Sequence, residues 1–504
     1  MPSLLPSRGF ITAPAKFAAL VLCLLFAVSL PSPADDEPFT FSRVPLLRIN
    51  TVTGEAPTYT VVYPPDGSSA VTINSEYVGA RMTITKDDQT VYDSGEYIKN
   101  ASGLKMKVRG NSTGAYLTVK PYKLKLMRKA DLLQRTDADY RHTDWALLSM
   151  ITVNTAFPNR QSNLLTFTGL IVNDIVGMDW TPATTVVNLV LNGRYRGMFL
   201  LIETVERGES RVNVEDSGYI VENDRHYWNE DVYFRTPKMS SIQGWTFKYP
   251  DDDDVTDGVM TKISDFIVDF ENALYAEHDD SADDNFDDYI DLSSFARWVL
   301  AHDFLGSTDA NGSNMFLSKK NFDPANPTSS KLKMCTLWDF DTSFLAADDS
   351  WSNLHRYDAL YYQELFTHKK FVDAYLAAWD SISPTFMEKV RTAYDSLRNY
   401  YGTAFDESIA LHKQFSSGDF RRDFGTQVTE QIDHLQSRFN ALTLLVDELR
   451  DAATGITALT TTSTAQRDVK DLSGRSHGDV ELNTLPPGIY IVKDAQGNVT
   501  KVKR

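Results

Sequence analysis

The sequence runs to 504 residues, 42% of them hydrophobic, with a formal net charge of −18 at neutral pH. A chain of this length points to two or three domains and can bury a substantial core without disulfide staples. Its acidity excludes a general nucleic-acid binder and disfavours docking on anionic membranes, since both need a basic face.

Arg8 and Lys16 accompany the apolar run Phe17 to Leu30, and Ser32-Pro33-Ala34 follows just before Asp35-Asp36. A basic start, a short apolar centre and a small-residue exit read as a cleaved secretory signal over residues 1–34. The run falls short of the ~20 apolar residues that a membrane span requires. The expected product is exported, to the periplasm, the cell surface or the exterior, with no integral membrane span after signal removal. Of the two cysteines, Cys23 lies in this leader and Cys335 lies in the apolar run Met334 to Leu337. The mature chain therefore has no intramolecular disulfide. Cys335 reads as a buried strand residue rather than a nucleophile.

Residues 38–100 form a strand-and-turn region, with alternation in Tyr59 to Tyr63 and Ala80 to Ile84 around the turn cluster Pro64-Pro65-Asp66-Gly67. Strand character continues over 104–109, Tyr122 to Met127 and 186–202, where Asn192-Gly193 between two apolar runs predicts a hairpin. Apolar residues at helical spacing then predict helices in 257–276, 291–304, 358–401 and 427–452, with Asp291-Leu292-Ser293-Ser294 as a helix start. The acidic stretches Asp251 to Asp254 and Asp279 to Asp288 lack the glycine-centred alternation of a calcium loop and read as solvated loops. Residues 453–470 form a Thr-rich linker and 471–504 a small β segment. Its run LNTLPPGIYIVKDAQGNVTKVKR resembles the C-terminal sorting tails of exported Bacteroidetes proteins, which implies contact with export machinery.

Three clusters carry chemistry. Arg109-Gly110-Asn111-Ser112-Thr113 ends a strand in a turn whose N–H groups and hydroxyls can face phosphate oxygens, and the lysine-studded strand Lys120 to Leu126 follows. In that strand Tyr122, Leu124 and Leu126 share one face while Lys123 and Lys125 take the other. Asp309 and Asn314, five residues apart after a helix, have the spacing of a protein-kinase catalytic loop. Trp338-Asp339-Phe340-Asp341 presents two carboxylates where a strand meets a loop, which suits a hard cation such as Mg²⁺. A glycosidase reading of the same acids fails, because Asp339 and Asp341 are too close in sequence to flank a glycosidic bond.

Taken in order, RGNST, KPYKLKL, DWALL, LNGRYRGMFLLIE, GYIVEND, KYP, Asp309-xxxx-Asn314 and WDFD resemble the CotH (spore coat protein H) kinase family from about Leu46 to about residue 450. The resemblance implies an α+β, atypical protein-kinase-like fold, β-rich in its N-terminal half and helical in its C-terminal half, over residues 101–452. It implies ATP and Mg²⁺ or Mn²⁺ as cofactors and a protein hydroxyl, of an unidentified partner, as acceptor. Asp309 would be the catalytic acid and Asp339, Asp341 and Asn314 would hold metal, while Arg109, Ser112 and Lys123 would contact the nucleotide. Glu203, at the end of the hairpin, is the candidate to pair with a nucleotide-contacting lysine. Glu222 and Lys248 match family positions without an assigned role. One segment departs from the pattern: where relatives carry D-x-T-x-x-R-N, this chain reads Asn154 to Arg160 with Pro158 inside it. Two functional readings follow, an exported kinase and a surface binding protein that keeps the fold with little or no activity.

Overall fold

A computed structural model of the chain describes residues 44–65, 67, 71–150, 164–277, 285–307, 309–310, 312–340, 343, 359–412 and 423–453, and near the C-terminus 468–471, 476–478, 489–493 and 499–503. The leader, the segment Asn154 to Arg160, and Asp341 lie outside these residues.

The first part of the chain builds β1 (Leu46–Thr51), β2 (Tyr59–Val62), β3 (Thr72–Ser75), β4 (Val78–Lys86), β5 (Gln89–Asp93), β6 (Leu104–Val108), the short α1 (Ser112–Tyr116), β7 (Tyr122–Ala130) and β8 (His142–Ser149). After α2 (Leu164–Val176) come β9 (Thr184–Leu191) and β10 (Arg194–Glu203). These last two meet at the predicted hairpin, where Asn192 and Gly193 both take positive φ, 51° and 75°. The large sheet runs β1-β9-β10-β8-β7-β6-β4-β5, and β1 pairs with β4 as well as β9. Seven of these strands therefore close into a barrel, while β5 hangs on the edge of β4. Alternation sorts its faces. Met106, Leu124, Trp145, Leu147, Leu189 and Phe199 fill the interior. Lys105, Lys107, Lys123 and Lys125 stand outside, Lys107 directly opposite Lys123 and Lys105 opposite Lys125.

The remainder combines helices with a second sheet. Its elements are β11 (Tyr219–Asp224), β12 (Tyr233–Phe234), β13 (Gly244–Tyr249), α3 (Asp257–Leu274), α4 (Leu292–Leu305), β14 (Met315–Lys319) and β15 (Leu332–Met334). Then come α5 (Tyr362–Leu365), α6 (Lys369–Ile382), α7 (Phe386–His412) and α8 (Phe424–Ala453). The strands form a sheet in the order β12-β13-β11-β14-β15. That sheet and the helices share one core, in which Trp245, Phe270, Trp298, Leu317 and Tyr375 are fully buried. Helix α4 begins as the sequence predicts: the Asp291 carboxylate accepts from Ser294 N–H at 2.8 Å. The periodic stretch 358–401 is not one helix. It breaks between α6 and α7 at Ser383-Pro384: Ser383 still has helical backbone, but Pro384 has no N–H to continue the hydrogen-bond ladder and its ring crowds the carbonyl one turn earlier.

Near the C-terminus β16 (Asp468–Asp471), β17 (Ser476–Gly478), β18 (Ile489–Lys493) and β19 (Val499–Lys503) form a four-stranded sheet. Its first strand begins inside the stretch 453–470 and ends at the first residue of the β segment 471–504. Among the described residues, no helix is long and apolar enough to cross a membrane.

Candidate active site

A cavity of about 1130 Å³ opens where the outer face of the barrel meets the second sheet. The barrel side supplies Lys107 and Arg109 from the end of β6, the turn Gly110 to Thr113, and Lys123 of β7. The opposite side supplies Glu222 and Asp224 of β11 and Lys248 of β13. Asp309, Ser313 and Asn314, on the loop before β14, and Trp338 and Asp339, after β15, complete the wall. Six of the residues singled out in the sequence thus line one space: Arg109, Ser112, Lys123, Asp309, Asn314 and Asp339. Asp341 falls outside the described residues. Glu203 does not line the cavity.

Local geometry explains how each side chain is presented. Gly110 takes φ 84°, which lets the chain leave β6 sharply, and Asn111 Oδ1 accepts from Thr72 Oγ1 at 2.6 Å to tie this turn to β3. The Arg109 guanidinium lies 5.9 Å from the centre of the Trp338 ring, a cation–π stack across the cavity. Burial lowers the Arg109 pKa, opposed by the charges of Asp339 and Glu222. Asn314 donates from Nδ2 to the Asp309 carbonyl at 3.1 Å, closing the five-residue loop on itself, and takes φ 62° to do so. Asp339 also sits in the left-handed region, at φ 59°, a backbone state that costs of order 1–3 kcal/mol and gathers at functional sites. Its neighbour Phe340 is buried in the helical core.

The electrostatics fit a phosphate-and-cation site. Burial, and then the nearby charge of Asp339, push the Asp309 carboxyl up to about 6. Two carboxylates that disfavour each other's charge suit a divalent cation, which would relieve both. Among the described residues no group of three His, Cys, Asp or Glu side chains is gathered closely enough to hold a metal alone. Phosphate oxygens would complete the shell of such a cation. Opposite lie Arg109, Lys107 and Lys123, donors that can face phosphate oxygens, with Glu206 and Glu222 also lining the cavity.

The lysine partner differs from expectation. Lys123 Nζ lies 3.4 Å from Asp144 Oδ1 and 3.9 Å from Glu206 Oε1. Burial works against the ammonium, but Asp144 and Glu206 more than offset it and its pKa is raised. Glu203 instead accepts from Arg135 Nη2 at 2.6 Å and from the Ala183 N–H at 2.9 Å. Strand parity is the reason. Phe199 and Leu201 point into the barrel, so Glu203 two residues later follows them inward, while Lys123 points out. Asp144 was visible in the sequence as the acid of DWALL, and its place opposite Lys125 in the β7–β8 ladder puts it on the outer face. Glu206 lies in a loop, where no periodicity marks it. Glu222 and Lys248, matched but unassigned, form an ion pair at 2.7 Å on the cavity wall. Cys335 is buried, and burial pushes its thiol up to about 12, as a structural cysteine requires.

No curated protein matches the chain. A family model, that of the CotH kinase protein, matches residues 106–442 and so covers all six of these cavity residues. With more than half of its length matched in this way, the chain belongs to the CotH kinase family.

Proposed function

We propose that this protein is an exported phosphotransferase that moves the γ-phosphoryl group of ATP to a protein hydroxyl with the help of Mg²⁺ or Mn²⁺. The supporting observation is the convergence of Arg109, Ser112 and Lys123 with Asp309, Asn314 and Asp339, from two stretches separated by the whole of residues 124–308, around one cavity. Phosphoryl transfer asks a protein mainly for positioning and charge neutralisation, and this cavity has the residues for both. A bound divalent cation, held by Asp339, Asn314 and Asp341, would neutralise phosphate charge. Arg109 and Lys123 bind and orient the nucleotide's phosphates. Ser112 and the backbone around it supply uncharged donors. Asp309 accepts the proton of the acceptor hydroxyl, and burial keeps its carboxyl more basic than an exposed one. The kinase-like fold, the acceptor being a protein and the export are parts of the same proposal, the last supported by the leader pattern of residues 1–34.

The test is transfer of label from γ-labelled ATP with Mg²⁺ or Mn²⁺ to the protein itself or to a generic acceptor protein. Wild type should label, and Asp309→Ala should reduce the rate by roughly 10²- to 10⁴-fold with ATP binding retained. Asp339→Ala should lose cation-dependent ATP binding. A folded wild-type protein that neither binds ATP nor labels any acceptor would leave the surface binding role as the better reading.

A further inference from the structure

Behind the acids that hold Lys123 lies a second, fully buried layer. The Arg211 side chain has no exposed surface. Its Nη2 donates to the Asp144 carbonyl at 2.9 Å, and its Nη1 donates to the Thr204 carbonyl at 3.2 Å and to Thr204 Oγ1 at 3.1 Å. Its guanidinium lies 5.1 Å from the centre of the Trp145 ring, and its Nε lies 3.9 Å from Glu203 Oε1. Thr204 Oγ1 in turn lies 3.3 Å from both the Asp144 carbonyl and Glu206 Oε1. One guanidinium therefore ties the backbone of β8 at Asp144 to the chain leaving β10 at Thr204. The side chains of Asp144 and Glu206 project from those two tied segments toward Lys123.

We propose that Arg211 is a positioning residue for Lys123: by fixing the Asp144 and Thr204 backbones it sets the two carboxylates that aim the ammonium into the cavity. The functional consequence rests on the phosphotransferase reading, whereas the aiming of Lys123 does not. The planar fork of arginine holds the two carbonyls from separate nitrogens in fixed directions, whereas the donors of lysine all sit on one rotating nitrogen and fix neither the spacing nor the angle. Sealed from water, these hydrogen bonds have no solvent substitute when lost. Glu203, although it never meets the cavity, acts at one further remove as the buried counter-charge near Arg211. The Arg211 charge also opposes the burial that raises the Glu206 pKa.

The experiment reads Lys123 directly, by acylating the full chain with an amine-reactive ester and comparing Lys123 with the exposed Lys86 and Lys99 by mass spectrometry. Arg211→Lys, which keeps the charge and loses the fork, should raise relative Lys123 acylation by about threefold or more. The same variant should raise the KM for ATP about tenfold while changing kcat less. Thr204→Val, nearly isosteric, should move both readouts the same way, and it decides the question if Arg211→Lys fails to fold. A folded variant whose Lys123 acylates at the wild-type rate overturns the proposal. If wild type shows no ATP binding or labelling while the variants still expose Lys123, the positioning role stands and the phosphotransferase reading falls.

Discussion

Arg109 shows how much one side chain carries here. It stacks on Trp338 from the opposite wall, feels Asp339 and Glu222, and faces the space where phosphates would lie. Arg109→Lys keeps a cation but loses the planar stack and the paired donors. We expect a folded protein whose ATP affinity falls about tenfold, read by calorimetric titration, and an unchanged affinity would remove Arg109 from the site. At this scale the sequence was legible where a residue belongs to an ordered motif. Lys123, Asp309 and Asp339 could be picked out one by one, because each sits in a run whose order is itself informative. Their partners were not legible. Whether Glu203 or Glu206 meets Lys123 depends on which side of a strand each faces and on where the strand stops, and Glu203 is the last residue of β10.

Helix α2 is the seat of the Asp339 loop. Asn173 accepts from the Leu337 N–H at 2.9 Å through Oδ1 and donates to the Trp180 carbonyl at 2.9 Å through Nδ2. One turn earlier Gly169 leaves room for the Phe340 ring, and a Cβ there would overlap it. In an ordinary helix Gly→Ala gains about 1 kcal/mol. Here Gly169→Ala should instead cost about 1–3 kcal/mol, because the ring next to Asp339 must move. Thermal melting reads the cost, and Mg²⁺ titration of ATP binding reads the displaced carboxylate; a stabilised variant with normal titration contradicts the arrangement. Helix α2 itself starts just beyond the part of the chain that departs from the family pattern. Its apolar residues predict burial, but nothing in them announces that Gly169 and Asn173 jointly hold a segment more than 160 residues away. The hairpin at Asn192-Gly193 and the start of α4 were readable because their signals are local. The second sheet was harder, since β14 and β15 are short and separated from β11 by α3 and α4.

Across the whole molecule, pH acts through groups between the barrel and its neighbours. Burial, and then Arg211, Lys129 and Arg135, push the His142 imidazole down to about 4 from its ordinary 6.5. Between those values the unfolded chain takes a proton that the folded one refuses, so this contribution to stability is lost as pH falls from 6.5 toward 4. Asp224, which burial and Glu222 push up to about 7, works in the opposite sense, costing stability as pH rises toward that value. The comparison of wild type with His142→Gln isolates the first effect. Between pH 7 and 5 the wild type should lose roughly 1 kcal/mol more than the variant, a figure discounted for the partial exposure of the ring. Equal pH slopes in the two melting series would rule out this role for His142.

The closed ring of seven strands also bears on where this protein can be cut. The family match opens at residue 106, inside β6, but the ring is completed by β1 and β4, which precede it. A fragment trimmed to 106–442 would carry the six cavity residues named above and lack both the wall around Thr72 and the two staves that shut the cask. Strand β9 would then have a bare flank where β1 had been, and β6 would lose its first residues together with its neighbour β4. Unpaired main-chain donors and acceptors along such flanks recruit other chains. That fragment should collect in the insoluble fraction, whereas residues 44–453 should stay in solution. The smallest autonomous piece of this chain should therefore begin at β1, some sixty residues before the family match opens.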